Sequence, residues 1–500
     1  MTGILDAIYA FMDSFVKFMW GNWMIVLLVG TGILLSFVTR FIQFRKFFLS
    51  LKYLFQGGKK SKILKDTEGD ISPFAALMTA LAATVGNGNI AGVAAAIATG
   101  GPGAPLWMWI SGLFGMATKY AECFLGVKYR KVAEDGSMAG GPMYYIRYGI
   151  KNKPFAKFLG MLFAVGGGMT ALLGTGNMMQ SNSMALAMRQ QFGVPTILSA
   201  IVITVLVGIV ILGGIKRIGA VAEKLVPAMI IFYLGGALAI LISRYTQIDD
   251  AFVLIFKSAF SLQAAGGALI GTSVQKAISL GVRRGVLSNE AGLGSAAIAQ
   301  SAAKSPDPTF NGLLGMTGVF IDTILVNTLT TLTIVVTGVW KLTPACGVEL
   351  VKEGQKLAPD VVNNLHPQVI DMAHKIGYDL SAGGLSSTAL TVEAFNSVIP
   401  FGGIIIAIGS LIFGYTTLLG WAYYGEQCFG YIWGVKSDKI YRTVFIALLF
   451  FGALLTGHYM DIVWNLGDSF NAIMAIPNLI GLLFLSSIVS KITKETFSKS

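Results

Sequence analysis

The residues best placed to do chemistry lie between Ser72 and Pro105, in the run SPFAALMTALAATVGNGNIAGVAAAIATGGPGAP. This stretch is apolar and long enough to cross a bilayer, which takes roughly 20 residues. Its middle reads Thr84-Val85-Gly86-Asn87-Gly88-Asn89, the composition of a turn. Two glycines and two asparagines weaken a helix where lipid leaves freed backbone groups without partners. Such a break persists only when it is buried in protein or faces a wet cavity, where its N–H and C=O groups can hold a ligand. The competing reading is a glycine-rich helix packed closely on its neighbours. Asn87 and Asn89 argue against it, being expensive in lipid and unnecessary for close packing.

Composition defines the elements that must position this break. Of 500 residues, 54% are hydrophobic and 12% charged, with a mean hydropathy of +0.69. A soluble domain carries about 25% charged residues, so the chain reads as an all-α polytopic membrane protein in a lipid bilayer. Eleven transmembrane helices are expected near 22–40, 73–99, 105–127, 158–188, 195–213, 219–242, 252–285, 310–340, 401–427, 441–457 and 465–489. A short interfacial helix should precede them, and no signal peptide is expected. The net charge of +12 does not point to nucleic acid. With residues 40–70 placed in the cytoplasm, alternation puts 28 of the 37 basic residues on that side and 8 on the other, with Lys119 inside a span. That asymmetry is the positive-inside pattern of a cell membrane protein, with the N-terminus outside and the C-terminus cytoplasmic.

A second weak point, Ala264-Ala265-Gly266-Gly267-Ala268, sits in the seventh expected span. Spans two to six and seven to eleven then form two sets of five, each opening on a discontinuous helix. That arrangement marks an inverted-repeat transporter with a midplane site. The expected domains are 1–70, a first repeat at 71–245, a second at 246–490 with an outside loop at 341–400, and a tail at 491–500. The loop is expected to carry short helices that either cap the mouth or form plain surface. Ser288-Asn289-Glu290 reads as a loop or cap at the cytoplasmic end of span seven, and its resemblance to a transporter-family signature implies a place at the inner gate, pairing with Arg283 or Arg284. Lys119 and Glu122, three apart on a helix, read as an ion pair. Asp322, inside a span, reads as an ion or proton path or as a structural acceptor. Asn177 and Gln180 share a face, and Gln180 is the better candidate for lining a pocket.

The stretches AATVGNGNIAGVA, GGPGAPLWMW, AGGPMYYI, GNMMQSNS, LGGIKRIG, SNEAGLGSA and AIPNLIGLL resemble the alanine/glycine:cation symporter family, in order and across nearly the whole chain. The resemblance implies a leucine-transporter-like fold, one N-terminal helix plus a five-plus-five inverted repeat. Two positions depart from it: Asn87 stands where Thr is typical, and Pro105-Leu106 replaces an aliphatic-Phe pair. The implied activity is sodium-coupled symport of a small neutral amino acid, alanine or glycine first. Amides from Gly86 to Asn89, at a half-helix N-terminus, suit the carboxylate. Carbonyls at Thr84 and near Gly266 and Gly267 suit the ammonium group. The resemblance also implies a sodium site made of the Thr416 and Thr417 hydroxyls with the Ala82, Val85 and Phe413 carbonyls, all-oxygen donors that fit a hard cation. The competing reading has both hydroxyls bonded to helix carbonyls. Trp421, four residues beyond Thr417, would wall the pocket on the same helix face.

Other classes fit less well. The sequence holds no HExxH, GxSxG or clustered carboxylates, and GNGNIAG lacks dinucleotide spacing, so an enzyme is not expected. A channel would need a symmetric pore or a repeated filter. Proton coupling, and a preference for glutamine or serine, remain the variants within the symporter reading. No cofactor beyond the coupling ion and no obligate protein partner is expected.

Overall fold

The computed structural model describes residues 2–56, 67–260, 274–351 and 355–498. Apolar sequence dictates nearly all of it. Among the described residues, six helices are long and apolar enough to cross a membrane: 9–38, 153–189, 214–243, 308–337, 402–433 and 459–498. A seventh span is a pair, Pro73–Thr84 and 88–100, bent by 48° at the expected break. Further helices cover other expected positions, including Ala104–Lys128, Thr196–Ile211 and Asp438–Leu454. The N-terminal helix Thr2–Met19 packs on the last helix, and Trp20 Nε1 donates to the Asp468 carbonyl at 2.9 Å.

Each half of the bent span starts or stops for a local reason. Pro73 occupies the first turn and Ser72 Oγ accepts from the Ala75 amide at 3.0 Å, an N-cap. At the other end Val85 leaves the helical region, with ψ 97°. The chain resumes as a five-residue π-helical turn, Gly88–Gly92, before Val93–Gly100.

A second interruption lies where the sequence suggested a peripheral loop. Helix Val274–Asn289 stops, and Ser295–Ser301 starts after a short irregular segment. Gly292 and Gly294 there have φ of 94° and 81°, and Glu290 has φ of 56°. An added Cβ at Gly294 would lie 2.4 Å from Pro142 Cγ, so both conformation and space call for glycine. Ser288, Asn289 and Glu290 are buried rather than in an end loop. The expected break at Gly266-Gly267 lies outside the described residues.

Beyond this break helix resumes to Ser301, past the expected end of the seventh span at 285. Gly100 abuts Ala277 and Leu280 at one end, while Ile71 bridges Ala303 at the other. Lys276, Arg283 and Arg284, assigned to the first-loop side, therefore precede the break and belong to the opposite half. Arg283 pairs with Asp468 at 2.9 Å and lies over the Trp20 ring. On the first-loop side a clasp joins the two broken spans. The Asp70 amide donates to Ala302 O and the Lys304 amide to Ile71 O, both at 2.8 Å. Arg130 donates to the Ser301, Ala303 and Glu68 carbonyls. Burial raises the Asp70 carboxyl above the usual carboxylate range, against the Met138 amide that it accepts.

The 341–400 segment contains short helices, as expected, and one is more than surface. Ser387–Asn396 buries Leu390, Thr391, Ala394 and Phe395, and Thr391 Oγ1 donates to the Ile90 carbonyl of the first break at 3.1 Å.

Candidate functional site

Both breaks face one cavity of about 420 Å³. Thr84, Gly86, Asn87, Gly88, Gln180, Thr417 and Trp421 line it, seven of the residues singled out from sequence. Gln180 Oε1 accepts from Asn87 Nδ2 at 3.1 Å, so the residue that departs from the family pattern is braced across the pocket. Asn87 Oδ1 is buried without a protein partner and is left for a ligand or water.

Asn89 is placed differently. Its Oδ1 accepts from the Gly86 amide at 2.8 Å, and its own amide donates to Gly86 O at 3.0 Å. These bonds close the turn, and they leave Asn87 and Gly88 as the candidate donors to an anion. Asn89 Nδ2 points into a buried network, donating to Asp322 Oδ1 at 2.7 Å and Asn327 Oδ1 at 2.8 Å. Ser288 Oγ and Thr323 Oγ1 also donate to Asp322. The π-helical turn Phe320–Val326 carries Asp322 to this point. Asp322 thus links the first break, through Asn89, to the second, through Ser288.

Glu122 does a similar job on the second break. Its Oε1 accepts from the Gly292 and Gly294 amides at 2.9 and 3.0 Å and from Asn478 Nδ2 at 2.7 Å. The expected Lys119–Glu122 ion pair does not form, and Lys119 Nζ is buried without a hydrogen-bond partner among the described residues. The free amides of a half-helix N-terminus draw Glu122 instead. The proposed inner-gate pairing is likewise replaced. Glu290 accepts from Trp421 Nε1 at 3.1 Å and from Ser295 Oγ, while Arg283 goes to Asp468.

Helix 402–433 brings Thr416, Thr417 and Trp421 to the break. A methyl on Gly420 would meet the Ala83 amide nitrogen at 3.0 Å, which shows how closely the two backbones approach. Thr416 and Thr417 Oγ1 both donate to the Phe413 carbonyl, at 3.0 and 2.9 Å, so three of the expected cation ligands already form one cluster. Thr417 Oγ1 also lies against Gly86, where an added Cβ would come within 2.8 Å. Ala82, Val85, Phe413, Thr416 and Thr417 are all buried. Asn177 faces away, donating to Phe445 O at 2.9 Å.

Sequence reading placed Glu290, Ser288 and Arg284 at an inner gate, whereas they line the cavity, as do Ser410, Asp468 and Asn471, which it did not name. The signal was present, because Gly292-Leu293-Gly294 repeats the G-x-G of Gly86-Asn87-Gly88 within an apolar run.

A helical membrane protein in which a bent span and a second interrupted helix meet at one cavity belongs to the class of transporters. The Sodium:alanine symporter family model matches residues 5–500, and the chain is a member of that family. It is 45% identical over 479 residues to the sodium/alanine symporter AgcS of Methanococcus maripaludis, covering 96% of this chain and 95% of that one. It is 34% identical to the probable sodium/glutamine symporter GlnT of Bacillus subtilis, covering 95% and 88%. The crystal structure of MhsT in complex with L-phenylalanine has the same fold, with a TM-score of 0.53 and 12% identity over 85% of this chain and 98% of that one.

Proposed function

We propose that this protein is a secondary active transporter that takes up a small neutral amino acid, alanine or glycine first, together with sodium. The observation that carries this reading is the meeting of the first break with Thr417, Trp421 and Gln180 around one cavity. The amides of Asn87 and Gly88 hold the carboxylate and the Thr84 carbonyl accepts from the ammonium group. Arg284, Glu290 and Asp468 bring charges of both signs to the lining, which suits a zwitterion. Sodium sits beside the substrate, on the Thr416 and Thr417 hydroxyls and the Ala82, Val85 and Phe413 carbonyls. Moving this pair across requires alternating access between two five-helix repeats within eleven spans, the second repeat opening on the break at Glu290–Gly294. With Lys276, Arg283 and Arg284 reassigned, 25 of 37 basic residues stay on the first-loop side, which supports a cytoplasmic C-terminus and an N-terminus outside.

A glutamine or serine preference is the second reading. It draws on a cavity of about 420 Å³, more space than alanine fills, and on a relative named for glutamine. Counterflow in proteoliposomes with labelled alanine, glycine, serine and glutamine ranks the two. Alanine and glycine should exchange fastest, and alaninamide should fail to compete because the amide donors would lose their anion. Fastest exchange of glutamine would select the second reading. Competition by alaninamide equal to alanine would remove the main-chain carboxylate site.

A further inference from the structure

Away from the transport cavity, the first-loop end of helix Asn22–Val38 meets the end of the last helix in a basic hollow of about 330 Å³. Arg40, Arg45, Lys46 and Lys494 line it, with Glu495 as the opposing charge. The sequence builds this hollow by a sharp reversal. Arg40 and Phe41 both adopt left-handed backbone, φ 57° and 53°, and the Phe41 amide donates back to Ser36 O at 2.6 Å. Two adjacent non-glycine residues in that region are costly and persist only where the surroundings hold them. The reversal returns Arg45 and Lys46 to the helix end beside Arg40. Lys46 Nζ lies 4.3 Å from the Phe497 ring centroid, which fixes the far wall.

None of Arg40, Arg45, Lys46 or Lys494 forms an ion pair among the described residues. Four cations converge on one hollow against a single carboxylate, which leaves a strong local demand for an anion. A second hollow of about 620 Å³ shares Lys494 and Glu495 and continues along the last helix past Ser490 and Ser486 to Val38. Ser490 Oγ donates to the Val38 carbonyl at 2.6 Å, tying its two walls together. Phe37 and Phe44, beside the hollows in sequence, are 63% and 58% exposed. Exposed apolar rings at the end of a membrane span suit contact with lipid rather than water.

We infer that the two hollows together form a binding site for an anionic phospholipid. The phosphodiester sits among Arg40, Arg45, Lys46 and Lys494, and the glycerol and first acyl carbons follow the Val38–Ser486 groove. Basic pockets between membrane helices bind acidic lipid headgroups in this way. A free phosphate anion would satisfy the cations alone, whereas only a lipid also uses the adjoining groove.

Purified protein in neutral detergent, titrated with phosphatidylglycerol, phosphatidylcholine or inorganic phosphate while its melting temperature is followed, separates these cases. Phosphatidylglycerol should raise the melting temperature saturably, and the other two should not. In the double variant Arg45→Gln, Lys494→Gln the apparent lipid affinity should fall at least tenfold, with the melting temperature in detergent alone unchanged because both side chains are exposed. The control variant Lys436→Gln, Lys439→Gln removes two exposed lysines elsewhere and should keep the full response. An equal response to inorganic phosphate, an equal response to phosphatidylcholine, or equal loss in the control variant would each overturn the lipid site. Loss of the fold in the double variant would pass the decision to the single variants Arg45→Gln and Lys494→Gln, each of which should weaken the lipid response, and an unchanged response in both would overturn the site.

Discussion

At residue scale the site depends on a few oxygen atoms and one missing side chain. Thr416 and Thr417 donate to the Phe413 carbonyl, and a sodium ion would take the hydroxyl oxygens in the same cluster. The competing reading, hydroxyls that only satisfy a helix carbonyl, has the same geometry in the absence of the ion, so function distinguishes them. Thr417→Val keeps the shape and removes one ligand. Interactions with a charged partner are worth about 1.5–3 kcal/mol, so the sodium concentration for half-maximal uptake should rise roughly tenfold or more. An unchanged sodium dependence would place the ion elsewhere. Gly86→Ala should produce a similar defect, because its methyl would sit 2.8 Å from Thr417 Oγ1. Gly88→Ala meets protein only at ordinary contact distance, 3.5 Å from Ser288 Cα. Neither glycine carries a positive φ, so a loss of uptake in Gly88→Ala would report on the ligand rather than on backbone strain.

At the scale of elements, the two breaks act as one unit because Asp322 holds both. It accepts from Asn89 on the first broken span and from Ser288 on the second. Asp322→Asn presents an amide where donors converge and leaves at least one buried donor unsatisfied, a loss of about 3 kcal/mol. The melting temperature of purified protein should drop by several degrees, with uptake falling in proportion to folded protein. A variant of normal stability whose uptake loses only its pH dependence would make Asp322 a proton relay instead. The first break was legible in sequence because turn-forming residues interrupt a long apolar run. The second was not, since SNEAGLGSA contains enough polar residues to read as a loop. Its burial follows from partners far away in sequence, Glu122, Trp421 and Asn478, whose bonds to it no local pattern reveals. The same holds for Lys119 and Glu122. Spacing alone pairs them, while the second break's amides compete for the carboxylate and take it.

At the scale of the whole molecule, apolar length was enough to find the six long spans and the bent pair, and the family's motifs were enough to point to its fold. Those features are written locally, in runs of one residue class. The pocket was half legible: seven expected residues converge on it, Asn89 turns away into the network, and Arg284 and Glu290 join from a span end that the sequence had placed outside the site. The central claim is that this architecture couples a sodium gradient to amino acid uptake. Its most direct test is uptake of labelled alanine by proteoliposomes under an inward sodium gradient, compared with choline substitution and with an imposed proton gradient. The account predicts transient accumulation above the external concentration that requires sodium and collapses when the gradient is dissipated. Accumulation driven by the proton gradient without sodium, or equilibration with no dependence on sodium, would contradict it.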